Sequence, residues 1–186
     1  YRRQRQMCIR DRVDVYWQPA FQSMLPSRSG VWLGLLCVGS YLLLTVGGLA
    51  SGRISFSSER RRWRGYFFLQ SLLGLALLLL SRQFSPLRFA GAYLLFYTVL
   101  SVSNIQEQTL LNGLSDSSNR ATVLSLASLA CQLGNLALHA ASGALVLPLG
   151  ASGLWGLSGL LLLLVCGGSA LLYRSGRRWS SSDTLL

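Results

Sequence analysis

The sequence predicts an all-α membrane protein built as a polytopic helical bundle. Five long apolar runs occupy residues 31–50, 65–81, 88–111, 121–147 and 154–173. Each run holds about 17 to 27 residues, and a helix needs about 20 to cross the hydrocarbon core of a bilayer. The chain is 51% hydrophobic and only 12% charged, which is unusual for a soluble domain. Because backbone amides in lipid must be paired internally, we expect each run to be a helix.

The first twelve residues, YRRQRQMCIRDR, differ in kind from the rest of the chain. Met7–Arg12 resembles a translated adapter used in DNA library preparation, so we expect residues 1–12 to be a sequencing artefact. A natural basic juxtamembrane segment is the alternative. On the first interpretation residues 13–29 are the end of a helix and an outer loop, and the chain is a fragment. Asp14 lies beside the junction and is assigned no role.

Arginines predict which side of the membrane each connection faces. The 51–64 connection holds five arginines, the 112–120 connection ends in Arg120, and the 174–186 tail holds three. The connection between the last two runs holds none. Short basic loops stay on the cytoplasmic side. We therefore expect a multi-pass protein of the plasma (inner) membrane whose C-terminus is cytoplasmic.

Two runs carry polar side chains along one helical face. In 88–111 the polar positions recur every three or four residues, at Tyr93, Tyr97, Ser101, Asn104 and Gln108. In 121–147 the same spacing joins Ser125, Ser128, Gln132, Asn135, His139 and Ser142. At about 100° per residue, each set falls within one arc of its helix. The 65–81 and 154–173 runs are instead leucine-rich almost all round, which is typical of helices that face lipid.

These two polar stripes allow two interpretations. They are either hydrogen-bonding seams between helices, at about 1 kcal/mol or less per contact, or the lining of a water-accessible cavity. Two aligned stripes of this length favour the cavity. The candidate lining residues are Tyr93, Tyr97, Ser101, Asn104, Gln108, Gln132, Asn135 and His139.

Two ionisable residues within the runs are further candidates. Glu107 is the only carboxylate in a proposed span, and such residues are costly enough at depth to suggest a function. We expect it at the cytoplasmic end, as one partner of a gate ion pair with Arg120 or Arg53; a solvated interfacial charge and a proton-coupling group are the alternatives. His139 is either a packing residue or a contact for substrate or protons.

Composition and spacing also argue against several function classes. The net charge of +11 comes from arginines that mostly flank spans, so no nucleic-acid partner is expected. The cysteines lack metal-ligand spacing, and neither a metal nor a cofactor is expected. An enzyme is not expected, because Glu107 and His139 belong at different depths and no second acid or base accompanies them. A secondary transporter and a non-transporting five-helix scaffold remain as the two candidate functions.

The segment 111–129, LNGLSDSSNRATVLSLASL, carries a family resemblance. It resembles the loop and helix entry before the eleventh span of major facilitator superfamily transporters, where Asn, Arg-Ala-Thr and a Leu/Ser-rich helix recur. Tyr16-Trp17-Gln18-Pro19 is similar to the outer end of that family's seventh span. The resemblance covers about residues 13–173 and implies the C-terminal six-helix half of that fold with its first helix truncated, here the end of span seven through span twelve.

The resemblance implies a secondary transporter that moves a small-molecule solute by alternating access against a missing N-terminal half. One family motif departs from its pattern. Gly48 to Arg53 matches the spacing of the cytoplasmic motif after span eight, but Gly52 stands at its acidic position and Ser55 at its glycine position. The latch that this motif forms in other members is therefore not expected here.

Overall fold

The structure is a computed structural model that describes residues 7–25, 30–52, 59–82, 85–114 and 120–182. Within these ranges every regular element is an α-helix, so the predicted all-α class is confirmed. The helices are α1 (Met7–Gln22), α2 (Gly30–Gly52), α3 (Glu59–Ser81), α4 (Pro86–Leu114) and α5 (Arg120–Ser182).

The helices are longer than the apolar runs that predict them. α2 and α4 extend the 31–50 and 88–111 runs by one to three residues at each end. α3 begins at Glu59, six residues before the 65–81 run, so part of the arginine-rich connection is helical. Arginine has a high helix propensity, and its charge prevents burial in lipid rather than helix formation.

α5 contains both of the last two apolar runs and is interrupted at Gly150. This residue has φ 66° and ψ 179°, a conformation that is accessible only to glycine. Pro148 precedes it, lacks an amide hydrogen and disfavours a regular helix. We call residues 120–149 the first arm of α5 and residues 151–182 the second arm. The interruption falls within the uncharged connection that the sequence predicts.

Contacts along the helices fix their relative directions. α2 and α4 run parallel, because Gly39 lies against Leu94 and Gly48 against Ile105. α3 and the second arm of α5 run antiparallel, with Gly74 against Leu163. A Cβ atom at Gly159 would lie 2.8 Å from the carbonyl oxygen of Gly74. Small residues at such a crossing let two backbones approach closely.

α1 packs against α4 in the opposite direction and completes the core. Its Trp17 packs at a tilt against Tyr93, and its Phe21 packs at a tilt against Phe89. The buried core joins aromatic residues of α1 and α4 to leucines of α3 and to Trp155 of the second arm. This aromatic centre positions the candidate site, which lies next to it between α1, α2 and α4.

Among the described residues, three helical segments are long and apolar enough to cross a membrane by length and composition. They are Gly30–Gly52, Arg60–Ser81 and Ala121–Tyr173. Their apolar side chains are largely exposed: Leu49 and Leu164 are each 72% exposed. Such surfaces are typical of contact with lipid, and the chain has the character of a membrane protein. α4 carries more polar residues than these segments, and its crossing stays a prediction.

Candidate functional site

A cavity of about 240 Å³ lies where α1, α2 and α4 meet. Its lining residues are Asp14, Trp17, Gln18, Cys37, Ser40, Tyr41, Tyr93 and Tyr97. Most of these side chains can donate or accept hydrogen bonds, and four of the eight are aromatic. The cavity is therefore a polar chamber with aromatic walls.

Helical spacing brings each group of lining residues to one face. Asp14, Trp17 and Gln18 follow the i, i+3, i+4 pattern on α1. Cys37, Ser40 and Tyr41 repeat it on α2, and Tyr93 and Tyr97 are one turn apart on α4. Residues at these intervals share a helix face. Three helices thus each present one short face to the same space.

The back of the cavity is an aromatic corner. The ring centroids of Trp17 and Tyr93 are 4.8 Å apart, and those of Tyr93 and Tyr97 are 4.7 Å apart. All three side chains are at most 3% exposed. Tyr41 is 56% exposed and Gln18 is exposed, so these two residues mark the open side. Close ring packing of this kind holds the corner rigid.

Asp14 supplies the only charge among the described residues that line the cavity. The phenol oxygen of Tyr97 donates a hydrogen bond to its carboxylate oxygen Oδ1. A hydrogen bond to a carboxylate is stronger than one between neutral groups. Tyr97 therefore holds the carboxylate in a defined orientation at the cavity wall.

The remainder of the α4 stripe does not line the cavity, and two polar residues of this part of α4 bond to α2. Ser101 Oγ donates to the carbonyl oxygen of Leu44 at 2.6 Å, and Gln106 Nε2 donates to Ser51 Oγ at 3.4 Å. Asn104 is 9% exposed and its Nδ2 has no hydrogen-bond partner within the described residues. Gln108 is half-buried. The tight approach at Gly47, whose added Cβ would lie 3.1 Å from Ser101 Oγ, leaves no open space there.

The stripe on the first arm of α5 lies elsewhere. Gln132 and His139 are exposed, and neither is among the cavity lining. The side chain of Asn135 lies outside the described part of the chain. The structure thus brings Tyr93 and Tyr97 together at one site, and it does not bring Gln132 and His139 to that site.

The predicted cytoplasmic gate falls partly outside the described residues. Arg53 lies wholly outside them, and for Arg120 only the helical backbone is described. Glu107 is half-buried on α4 and lies close enough to Tyr66 of α3 to interact with it electrostatically. The ion pair of Glu107 with Arg53 or Arg120 stays a prediction.

Sequence reasoning missed the contribution of α1 and α2 to the site. Asp14 was assigned no role, although it shares a helix face with Trp17 and Phe21. A carboxylate on an aromatic helix face is a signal that could have identified it. Nothing in α2 marks Cys37 or Ser40 as lining residues, because their position depends on which helix packs beside them.

The arrangement places a carboxylate, hydroxyl groups and aromatic rings around a cavity of about 240 Å³. Among the described residues, no three His, Cys, Asp or Glu side chains are grouped so that they could hold a metal ion. Comparisons with known proteins offer no analogue: no protein-family model, no curated protein and no solved structure matches this chain.

Proposed function

We propose that this chain is part of a secondary transporter that moves a small polar solute across the plasma membrane. The observation that carries the proposal is the chamber between α1, α2 and α4, in which one carboxylate and several hydroxyl groups meet. An ionisable residue inside a bundle of apolar helices suggests a solute or ion pathway. Transporters bind their substrates in such chambers between helices.

The proposed mechanism is alternating access in the manner of the major facilitator superfamily, which segment 111–129 resembles. The six-helix half represented here would rock against a second, N-terminal half, with the C-terminus in the cytoplasm. The gradient of the solute or of a coupled ion drives such a cycle, and no covalent step is needed. Tyr93 and Tyr97 would form the walls of the solute site. The exposed Gln132 and His139 would face the second half.

Solute uptake tests this proposal. The whole gene would be expressed in cells, and the uptake of a panel of labelled small solutes would be compared with that of cells carrying an Asp14→Asn variant. We expect uptake of at least one solute class that depends on the gene and is reduced in the variant. Equal uptake in cells with and without the gene, once the protein is detected in the membrane of the expressing cells, would contradict the proposal.

A non-transporting membrane scaffold is the second candidate. The hydrogen bonds from Ser101 to Leu44 and from Gln106 to Ser51 favour it, because they use polar residues of α4 only to join two helices. A scaffold would bind partner proteins and leave uptake unchanged. The Asp14 chamber is the feature that it does not explain, since close packing needs no carboxylate beside a void.

A further inference from the structure

We infer that the exposed face of α3 binds an acidic phospholipid. The headgroup phosphate lies at the arginines of the first turns of the helix, and an acyl chain lies along the apolar residues that follow. This inference concerns the surface that faces the membrane and does not rest on the proposed transport function. It depends on the charge at the start of α3, on a line of exposed residues along the helix and on an aromatic cluster beside them.

The start of α3 carries a concentrated positive charge. Residues 59–64, ERRRWR, hold four arginines and one glutamate, which gives a net charge of +3. The candidate span of this helix begins at Arg60, so in a bilayer these charges would lie at the level of the headgroups. The side chains of Arg60, Arg61 and Arg64 are exposed. Because a guanidinium group can donate two parallel hydrogen bonds to a phosphate, an acidic headgroup would gain direct partners here.

The exposed arginines are in line with exposed apolar side chains of the same helix. Arg61, Arg64, Phe68, Leu75 and Leu79 recur at intervals of three, four, seven and four residues. At about 100° per residue they fall within an arc of about 60°, and we call them the α3 row. Phe68 is 67% exposed, Leu75 49% and Leu79 50%. The row is charged at its start and apolar along the rest, which is the polarity of a phospholipid.

The length of the apolar part matches one leaflet of a bilayer. From Phe68 to Leu79 the helix rises about 16.5 Å, at about 1.5 Å per residue, and half of the hydrocarbon core is about 15 Å thick. A phosphate bound at Arg61 and Arg64 would place an acyl chain beside Phe68 and direct it toward Leu79. A soluble anion or an acidic protein segment would not use this apolar part. The geometry therefore favours a lipid over those partners.

An aromatic cluster borders the arginines of the α3 row. The ring centroids of Trp63 and Tyr173 are 5.1 Å apart, and those of Trp63 and Phe67 are 5.8 Å apart. Tyr173 belongs to the second arm of α5, so the cluster joins the start of α3 to the neighbouring helix. Tryptophan and tyrosine favour the headgroup level of membranes. The cluster thus indicates that the charged end of the row lies at the depth of the lipid phosphates.

Arg62 differs from its neighbours, because it is turned toward the bundle. It is half-buried, and its Nη1 would lie 3.4 Å from a Cβ atom at Gly113, near the end of α4. A positive charge is favourable at the C-terminal end of a helix. Arg62 is therefore engaged within the protein, whereas the exposed arginines on either side of it face outward.

Native mass spectrometry of the full chain in detergent tests the inference. Phosphatidylglycerol and phosphatidylcholine with identical acyl chains would be titrated, and the dissociation constant of the first bound lipid would be measured for each. We expect phosphatidylglycerol to bind at least about 10-fold more tightly, because only its headgroup carries a net negative charge. Equal affinities for the two lipids would overturn the inference. This comparison uses the unaltered chain, so it does not depend on the folding of a variant.

Glycerol 1-phosphate distinguishes a lipid site from a simple phosphate site. It has a phosphate group and lacks acyl chains, so it cannot use the apolar part of the α3 row. We expect it to displace phosphatidylglycerol only at about a 100-fold excess or more, because burial of an acyl chain adds affinity. Displacement at equal concentrations would show that the arginines bind phosphate alone and would overturn the lipid assignment.

Two charge-matched variants locate the site. Arg61→Gln with Arg64→Gln removes two charges from the α3 row and should weaken phosphatidylglycerol binding roughly 10- to 30-fold. Arg82→Gln with Arg88→Gln removes the same charge from exposed positions at the opposite end of the bundle. It should weaken binding less than about 2-fold, because charges about 27 Å away are screened by salt. Equal losses in the two variants would mean that net charge attracts the lipid, and would overturn the inference.

Fluorescence tests the path of the acyl chain. Phe68→Trp places a tryptophan on the apolar part of the α3 row, and its emission is the difference from the unaltered chain. In nanodiscs, brominated phosphatidylglycerol in a phosphatidylcholine background should quench this emission more than brominated phosphatidylcholine in a phosphatidylglycerol background, at equal bromine content. Equal quenching would show that no acidic lipid is preferred along α3 and would overturn the inference. The uptake assay would be unaffected by that result, so the transport proposal fails or stands separately.

Discussion

The polar faces of α4 and of the first arm of α5 have the same spacing and opposite surroundings. On α4, Tyr93, Tyr97, Ser101 and Asn104 are all at most 9% exposed. On the first arm, Gln132 and His139 are exposed. The first of these faces is enclosed by α1 and α2, whereas the second is exposed along most of its length and buried at Ser142, which is 4% exposed.

This difference shows that a polar stripe does not by itself reveal its surroundings. Helical periodicity identifies which side chains share a face, but it does not identify what that face contacts. On α4, Tyr97 contacts the carboxylate of Asp14, and Ser101 contacts the neighbouring helix α2. On the first arm the stripe is exposed at Ser125, Gln132 and His139 and buried at Ser142. The same pattern therefore lines a cavity, joins two helices and forms a largely exposed surface within one chain.

The largest difference in stability between the two faces is expected when a buried aromatic side chain is removed. Tyr93→Ala should lower the free energy of unfolding by about 3–5 kcal/mol, because the side chain is buried against Trp17 and Tyr97. Leu136→Ala on the first arm, where the side chain is 69% exposed, should change it by no more than about 0.5 kcal/mol. SDS titration of the protein in detergent, followed by tryptophan fluorescence, measures both. Equal effects would show that the two faces are equally packed and would remove the contrast.

A smaller contrast is expected when bulk is added at glycines. A Cβ at Gly47 would lie 3.1 Å from two atoms of Ser101, whereas a Cβ at Gly143 on the first arm would meet nothing within 4 Å. Gly47→Leu should therefore separate α2 from α4 and cost about 1–3 kcal/mol. Gly143→Leu is the matched control and should cost little. Thermal unfolding in detergent compares them, and a neutral Gly47→Leu would contradict the close parallel packing of α2 and α4.

A still smaller effect is expected from single hydrogen bonds. Ser101→Ala removes the bond to the carbonyl oxygen of Leu44 and should cost about 0.6 kcal/mol, and no more than about 1.7 kcal/mol, as is usual for such bonds in membranes. Ser125→Ala, at an exposed position on the first arm, should leave the free energy of unfolding unchanged. A cost at Ser125 equal to that at Ser101 would indicate that the first arm is also packed through hydrogen bonds.

The last prediction concerns access rather than stability. Gln132→Cys should react with a water-soluble maleimide faster than Asn104→Cys, while the free energy of unfolding of the Gln132 variant shifts by no more than about 0.5 kcal/mol. Labelling in sealed vesicles provides the measurement. Fast labelling at Gln132 would identify a water-accessible face, as the transport proposal requires. Slow labelling at both positions would indicate that lipid or protein covers the first arm.

The fold was predictable to the extent that hydropathy determines it. Runs of apolar residues located every long helix, since apolar length is a local property of the sequence. The early start of α3 was missed, because charged residues in a connection do not prevent a helix. The break predicted at 149–153 is present at Gly150, but it is much shorter than a loop. There a single glycine conformation, rather than a loop, makes the turn.

The site was less predictable because it depends on contacts between distant segments. Tyr93 and Tyr97 were found from their spacing on α4. Asp14 was not, because its partner Tyr97 lies 83 residues further along the chain and no local pattern connects them. A single sequence shows which residues share a helix face. Which helices then pack beside that face is decided only when all the helices assemble.

The parallel arrangement of α2 and α4 has a consequence for biogenesis. Leu44 and Ser101 are 57 residues apart, and α3 must be made between them. At about 5–20 residues per second of synthesis, α2 waits roughly 3 to 11 seconds for the helix that completes its polar contacts. During that interval the hydroxyl groups of Ser40 and Ser51 must be satisfied by the backbone of their own helix, by water in the translocon or by a membrane chaperone. Ser40 bonds to the carbonyl oxygen of Cys37 in its own helix at 2.8 Å. At least one of these hydroxyl groups can therefore be satisfied within α2 before α4 is made.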